Sequence, residues 1–330
     1  MEVSPTRLPR TFRRNVEEIA GAFGAEPTID PADLSPLLED FQERLFRLSP
    51  TDARPELLRG FEDPSTTKVS WRSGDGRLQG AALATIDGRG ADISFLHIEP
   101  RHATQLATAR LLEEVLQALP KGVVRVRASD RVAHQWTHLG AGDARQVLID
   151  HGFAAFDRVL LSRDLTRPVP PPPPLPVGFA LLHPDPADVG ALADFAYLAY
   201  RGTTDFSIIT PDASPESYLR LYRRFLGGEL GLYSPSLSHL LVGPDGETAG
   251  VVHTIVFGRD PYIGDLSVAP AHRGSGLGRL LLVRALLAYR EAGHTRTGLT
   301  VTLQNTAAYN LYRSLGFDVE RSAPVYLLAR

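Results

Sequence analysis

Cysteine is absent from all 330 residues. Its absence removes disulfide cross-links, thiolate metal sites and a cysteine nucleophile together. No run of about 18 apolar residues occurs, so no bilayer-spanning helix is expected. Cations are not in excess: 35 Lys and Arg stand against 38 Asp and Glu, a net charge of −3. No global field calls for nucleic acid, although local anion sites stay open. Residues 11–24, TFRRNVEEIAGAFG, are charged and amphipathic and lack the apolar centre of a secretory signal. A cytoplasmic location is the expectation, with no membrane partner.

What is present begins with length. A chain of 330 residues has room for two domains, each with its own core. RPVPPPPPLPV, residues 167–177, carries seven prolines near the midpoint. Proline disfavours helix and sheet interiors and favours extended polyproline II, so a semi-rigid spacer is expected here. A docking site for a proline-recognising domain is the other use of such a stretch. The two sides of it echo one another. Residues 76–102 and 246–272 each read turn, apolar run, Gly-containing turn, apolar run, x-Pro-x-His, with Pro100 and Pro270 170 positions apart. Further on, 147–165 matches 311–329 with Gly152 and Gly316 164 positions apart. The expectation is an α/β chain with two copies of one domain: 1–166, a spacer at 167–177, and 178–330.

Hydropathy patterning in the second copy predicts strands at 179–183, 238–242, 249–257, 262–268, 298–303 and 324–329. Helices are expected at 187–201, at 214–228 with Ser214 as N-cap and Pro215 in the first position, and at 280–293. A last helix runs from Asn305 to a stop at Gly316. Between the strand at 262–268 and the helix after it lies HRGSGLGR, residues 272–279. A strand, a glycine-rich turn and a helix N-terminus aim backbone N–H groups and partial positive charge at one point, which makes an anion cradle. Arg279 in the first helical turn opposes the helix dipole, and a bound phosphate would reverse that sign. The dinucleotide fingerprint fails because Gly274, Gly276 and Gly278 are spaced by two. The P-loop fails for want of a Lys-Ser/Thr pair, and no nucleophile elbow surrounds Ser275.

What remains is R-x-x-G-x-G at Arg273, Gly276 and Gly278, and NTAAYNLYRSLGF, which reads N-x-x-A-x-x-L-Y-x-x-x-G-F from Asn305 to Phe317. The two together resemble the signatures of the GNAT acyltransferase superfamily; the two-copy plan is similar to that of mycothiol synthases. The resemblance implies, in each copy, a mixed, mostly antiparallel sheet flanked by helices. It implies acetyl-CoA as cosubstrate. The backbone of Arg273, Gly274, Ser275, Gly276, Leu277, Gly278 and Arg279 would hold its diphosphate. The strand edge at Leu266, Ser267 and Val268 would pair with its pantetheine arm, and Asn305 and Tyr312 would lie near the thioester. The implied reaction is direct attack of an amine, with Tyr312 as acid for the departing sulfur. A thiol of pKa about 8.5 against a phenol of about 10 makes that transfer only modestly uphill.

Asp265 is the candidate base, with His253 and Glu229 as alternatives. Strand alternation predicts that Asp265 shares a face with Ile263 and Ser267, opposite Leu266 and Val268. In the first copy Ala103, Thr104, Leu106 and Thr108 stand where Arg273 and the three glycines stand, and Leu148 stands at Tyr312. That copy is expected to be degenerate. HQWTH at 134–138 spaces two histidines four apart without a third ligand, so no metal is expected. The acceptor is expected to be a small amine or a peptide. A cysteinyl conjugate is one alternative, and a non-catalytic acyl-CoA sensor is another.

Overall fold

The computed structural model describes residues 21–46, 54–128, 143–322 and 324–330. The histidines of HQWTH and residues 11–20 of the N-terminal segment lie outside these. The chain divides into two units. The first contains β1 (Ala22–Ala25), α1 (Pro31–Phe46), α2 (Arg54–Glu62), β2 (Thr67–Arg72), β3 (Leu78–Asp87) and β4 (Gly90–Ile98). It continues with α3 (Gln105–Ala118), β5 (Arg125–Ala128), α4 (Asp143–Asp150) and β6 (Ala154–Phe156). β7 (Arg158–Asp164), β8 (Ala180–Leu182), α5 (Val189–Tyr200), α6 (Pro215–Leu226), β9 (Leu232–Tyr233) and β10 (His239–Val242) open the second. β11 (Thr248–Phe257), β12 (Asp260–Val268), α7 (Leu277–Glu291), β13 (Arg296–Thr302), α8 (Thr306–Ser314) and β14 (Asp318–Ser322) complete it. β15 (Val325–Ala329) ends the chain.

The repeat is exact where it matters, since β11 and β12 begin and end 170 residues after β3 and β4. The unit boundaries differ from the expected ones. β7 lies between β13 and β14 in the second sheet, ordered β14-β7-β13-β12-β11-β10-β8. β15 lies between β5 and β6 in the first, ordered β1-β2-β3-β4-β5-β15-β6. Each half thus lends its last strand to the other. The units are Met1–Phe156 with Pro324–Arg330, and Asp157–Ala323. The proline stretch is therefore an internal strap of the second unit, not the spacer between the two. Buried Arg163 of β7 donates to the Pro168 carbonyl at 2.8 Å and to the carbonyl of Leu315. The physical reason is pairing: β7 meets β13 over seven residues, Arg158–Asp164 against Arg296–Thr302.

Both sheets are mixed and mostly antiparallel, with β4/β5 and β12/β13 parallel. In the second unit α7 buries Leu280, Leu281, Val283, Ala285, Leu286 and Tyr289 against one face of the sheet. Ser214 caps α6 in a reciprocal box with Ser217, and Pro215 takes the first helical position, as the sequence predicts.

Candidate active site

One residue too many in β12 shapes the site. His253 pairs with Asp265 and Thr254 with Ile263, so Gly264 has no partner across the ladder and forms a β-bulge. A Cβ on Gly264 would overlap the Phe225 ring of α6, so any side chain there would have to displace that ring. The bulge bends β12 away from β13, and the two are paired only at Tyr262 and Ile263. From Leu266 to Val268 the edge of β12 facing β13 is open. The bulge also corrects the alternation expected above. Ile263 lies with Leu266 and Val268 on the α7 face, whereas Asp265 and Ser267 face α5 and α6.

The open edge forms one wall of a cavity of about 630 Å³. Leu266, Ser267, Val268, Arg273, Gly274, Gly276, Leu277, Gly278, Arg279, Asn305 and Tyr312 all line it. Ser275 does not; its hydroxyl turns back to the His272 carbonyl at 2.5 Å. Gly274 and Gly276 have φ of 77° and 87°, the left-handed region that favours glycine. Gly276 is the N-cap of α7 and offers no side chain to the helix. The first N–H groups of α7 therefore have no intrahelical or capping acceptor, and the residues that carry them, Leu277, Gly278 and Arg279, line the cavity. Arg273 donates to the Ala199 and Val268 carbonyls, and Arg279 to Ser314 at 3.1 Å.

Asn305 caps α8, accepting from Ala308 N–H at 3.3 Å, and its Nδ2 donates to buried Asp205 at 3.0 Å. Thr302 donates to the other oxygen of Asp205. Tyr312, on the next turns of α8, is only 7% exposed. It packs on Phe317 with ring centroids 5.8 Å apart. Its hydroxyl has no hydrogen-bond partner among the described residues. Burial, and then the negative charges of Asp265 and Asp205, push this phenol well above its ordinary range.

Asp265 is not in the wall but behind it. Its two oxygens accept from Tyr200 at 2.5 Å, Tyr222 at 2.7 Å and Ser267 at 3.0 Å. Tyr200 does line the cavity. The alternatives for the base lie elsewhere. His253 is fully buried, its Nδ1 meets the Tyr233 hydroxyl at 2.9 Å, and burial lowers its pKa to about 4. Glu229 is exposed and pairs with Arg224 at 3.1 Å. Sequence reasoning missed the whole wall from Ala199 to Thr204, including Tyr200. Nothing distinguishes that tyrosine from Tyr197 in the string AYLAYR until α5 is packed.

The first unit differs from the second at each of these points. α3 starts two positions earlier in the repeat than α7, and Thr104 caps it, accepting from Ala107 N–H at 3.1 Å. The helix end left open in the second unit is filled here by the chain's own hydroxyl. Ser94 repeats the bulge, but fully buried Phe95 stands where Asp265 stands, among Phe41 and Phe61.

Residues 204–317 match the model of the acetyltransferase (GNAT) family. That match covers about a third of the chain, all of it in the second unit. The chain is similar to streptothricin acetyltransferase of Streptomyces lavendulae, 38% identical over 92 residues, 27% of this chain and 49% of that one. It is also 38% identical over 82 residues to a mycothiol acetyltransferase of Thermobifida fusca (strain YX), 25% of this chain and 22% of that one. The chain thus spans about half or less of the curated relatives it matches. In fold, both GNAT-like halves resemble a GCN5-related N-acetyltransferase from Sphaerobacter thermophilus, with a TM-score of 0.60 at 19% identity over 94% of this chain and 95% of that one. A tandem GNAT protein from the clavulanic acid biosynthesis pathway gives 0.56 at 17%, over 94% and 98%.

Proposed function

We propose that the protein is an acetyl-CoA-dependent N-acyltransferase with one working site, in the second unit, that moves an acetyl group to a primary amine by direct attack. One observation carries this reading: an uncapped helix N-terminus, a free strand edge and an unpartnered phenol line the same cavity. The open N–H groups of α7 are suited to a diphosphate, whose charge would also favour Arg279 in the first turn. The free edge of β12 can hydrogen-bond an extended amide chain as a neighbouring strand would. In this reading Tyr312, a phenol that burial holds well above its ordinary range, gives its proton to sulfur as the C–S bond breaks and regains one in the same step from the nitrogen, whose bond to carbon has just formed. The matching positions of the first unit, with Thr104 filling the helix end and buried Leu148 at the place of Tyr312, support a structural role for that copy.

The tandem plan and the mycothiol acetyltransferase relatives favour a cysteinyl conjugate as a second class of acceptor. A non-catalytic acyl-CoA sensor would have no use for the free phenol of Tyr312. Titration calorimetry is expected to give one acetyl-CoA per chain; two equivalent sites would overturn the reading. Free-CoA release with amines, streptothricin, aminoglycosides, peptides and cysteinyl conjugates then identifies the acceptor, and binding without release from any of them favours the sensor.

A further inference from the structure

Asp265 is an unusual carboxylate. It is buried, and every hydrogen bond it accepts comes from a neutral hydroxyl: Tyr200, Tyr222 and Ser267. No Lys, Arg or His among the described residues lies within ion-pair distance of it. The imidazole opposite it on β11, His253, is held neutral by burial. A buried carboxylate without a cation is costly unless something offsets the charge. The first unit shows that the fold does not need it, because Phe95 fills the same position beside the bulge there. Tyr200 and Ser267 both connect this charge to the cavity, Tyr200 by the shorter bond, 2.5 Å against 3.0 Å, and Tyr200 shares that cavity with the free hydroxyl of Tyr312.

Resting on the function proposed above, we infer that Tyr200 is a catalytic residue that takes the acceptor's ammonium proton and passes its own to Asp265. The acceptor enters as an ammonium, the positive charge missing beside Asp265. One N–H proton moves to the Tyr200 oxygen while the Tyr200 proton moves along the 2.5 Å bond to Asp265. The phenol is neutral before and after, Asp265 ends protonated, and the amine has its lone pair free for the thioester carbon. Asp265 returns its proton to solvent when the products leave. Tyrosinate never forms, which fits a phenol that burial and Asp265 hold far above its ordinary pKa. Tyr222 holds the other oxygen of the carboxylate but does not reach the cavity, so it positions Asp265 and carries no proton from the acceptor.

The test uses two small acceptors at pH 7 with saturating acetyl-CoA: methylamine, which is an ammonium, and hydroxylamine, which is uncharged. Free CoA is followed above the uncatalysed background. Tyr200→Phe is expected to lose roughly 10²-fold with methylamine, in the range of general acid–base help. With hydroxylamine, which has no proton to surrender first, the loss is expected to stay small, and acetyl-CoA affinity is expected to hold. Asp265→Asn is expected to show the same asymmetry. Tyr222→Phe is expected to lower both rates by a similar factor, leaving their ratio unchanged. Equal losses for the two amines in either Tyr200→Phe or Asp265→Asn would overturn the relay while leaving the acyltransferase reading intact. Should one variant not fold, the other decides. Wild-type protein that binds acetyl-CoA yet releases CoA with neither amine, nor with any acceptor named above, would overturn the proposed function and the relay with it.

Discussion

Gly276 and Gly278 lie two residues apart and answer to different constraints. At Gly276 the backbone has φ of 87°, and a Cβ would meet nothing within 4 Å. Conformation, not crowding, demands glycine there, so a β-branched residue such as valine would strain the turn itself. At Gly278 a Cβ would make only ordinary contacts, 3.6 Å to Leu311 and 3.7 Å to Val268. Gly278→Ala is therefore the cleaner probe of the cradle. It is expected to leave thermal stability unchanged or raise it slightly, because alanine suits a helix better by up to about 1 kcal/mol. The added methyl would stand between the backbone and a diphosphate, and calorimetry should show acetyl-CoA affinity lower by roughly tenfold, about 1.4 kcal/mol. Tyr312→Phe makes the opposite prediction. Its hydroxyl has no partner to lose, so stability and acetyl-CoA affinity are expected to hold. Turnover is expected to fall by about 10²–10⁴-fold, the usual worth of a general acid, with the loss in kcat. A native kcat across pH 6 to 9 would make Tyr312 a packing residue.

Two elements of one repeat show how a site is closed. α7 and α3 descend from the same position, yet one ends in a left-handed glycine without a cap and the other in Thr104 with one. A capped helix end has fewer N–H groups to offer a ligand. The same holds one strand on, where Leu148 of α4 is fully buried at the position of Tyr312. Leu148→Ala is expected to destabilise the first unit by about 2–5 kcal/mol, the range for emptying a packed core site. Urea melts should register this. The kcat of the protein that stays folded is expected to be unchanged, as a purely structural role for that copy requires.

For the molecule as a whole, the exchange of β7 and β15 sets where the chain can be cut. A fragment of residues 178–330 looks natural from the proline stretch, but it lacks β7 and leaves β13 and β14 without the strand that pairs with both. Two unpaired edges in the middle of a sheet invite aggregation. A fragment of residues 157–323 keeps the second sheet complete. Circular dichroism and sedimentation should find the second fragment folded and the first aggregated or unfolded. The 157–323 fragment is also expected to bind acetyl-CoA, since every residue lining the cavity falls within it.

The local parts of this protein were legible in its amino acids. Glycines at 274, 276 and 278, the cap at Ser214, and the Asn305-to-Phe317 run each express short-range chemistry: positive φ, orphan N–H groups and helical spacing. Spacing alone also revealed the two copies, because β11 and β12 keep the register of β3 and β4. Decisions made between distant segments were not legible. The bulge at Gly264 is a property of a ladder with β11, and it moved Asp265 to the face opposite Ile263. Tyr200 reached Asp265 across 65 positions of sequence. β7 and β15 carry the same pattern in either sheet, so period-two hydrophobicity could not say which partner each would take. Periodicity records which side of an element is buried; only the assembled sheet decides what buries it.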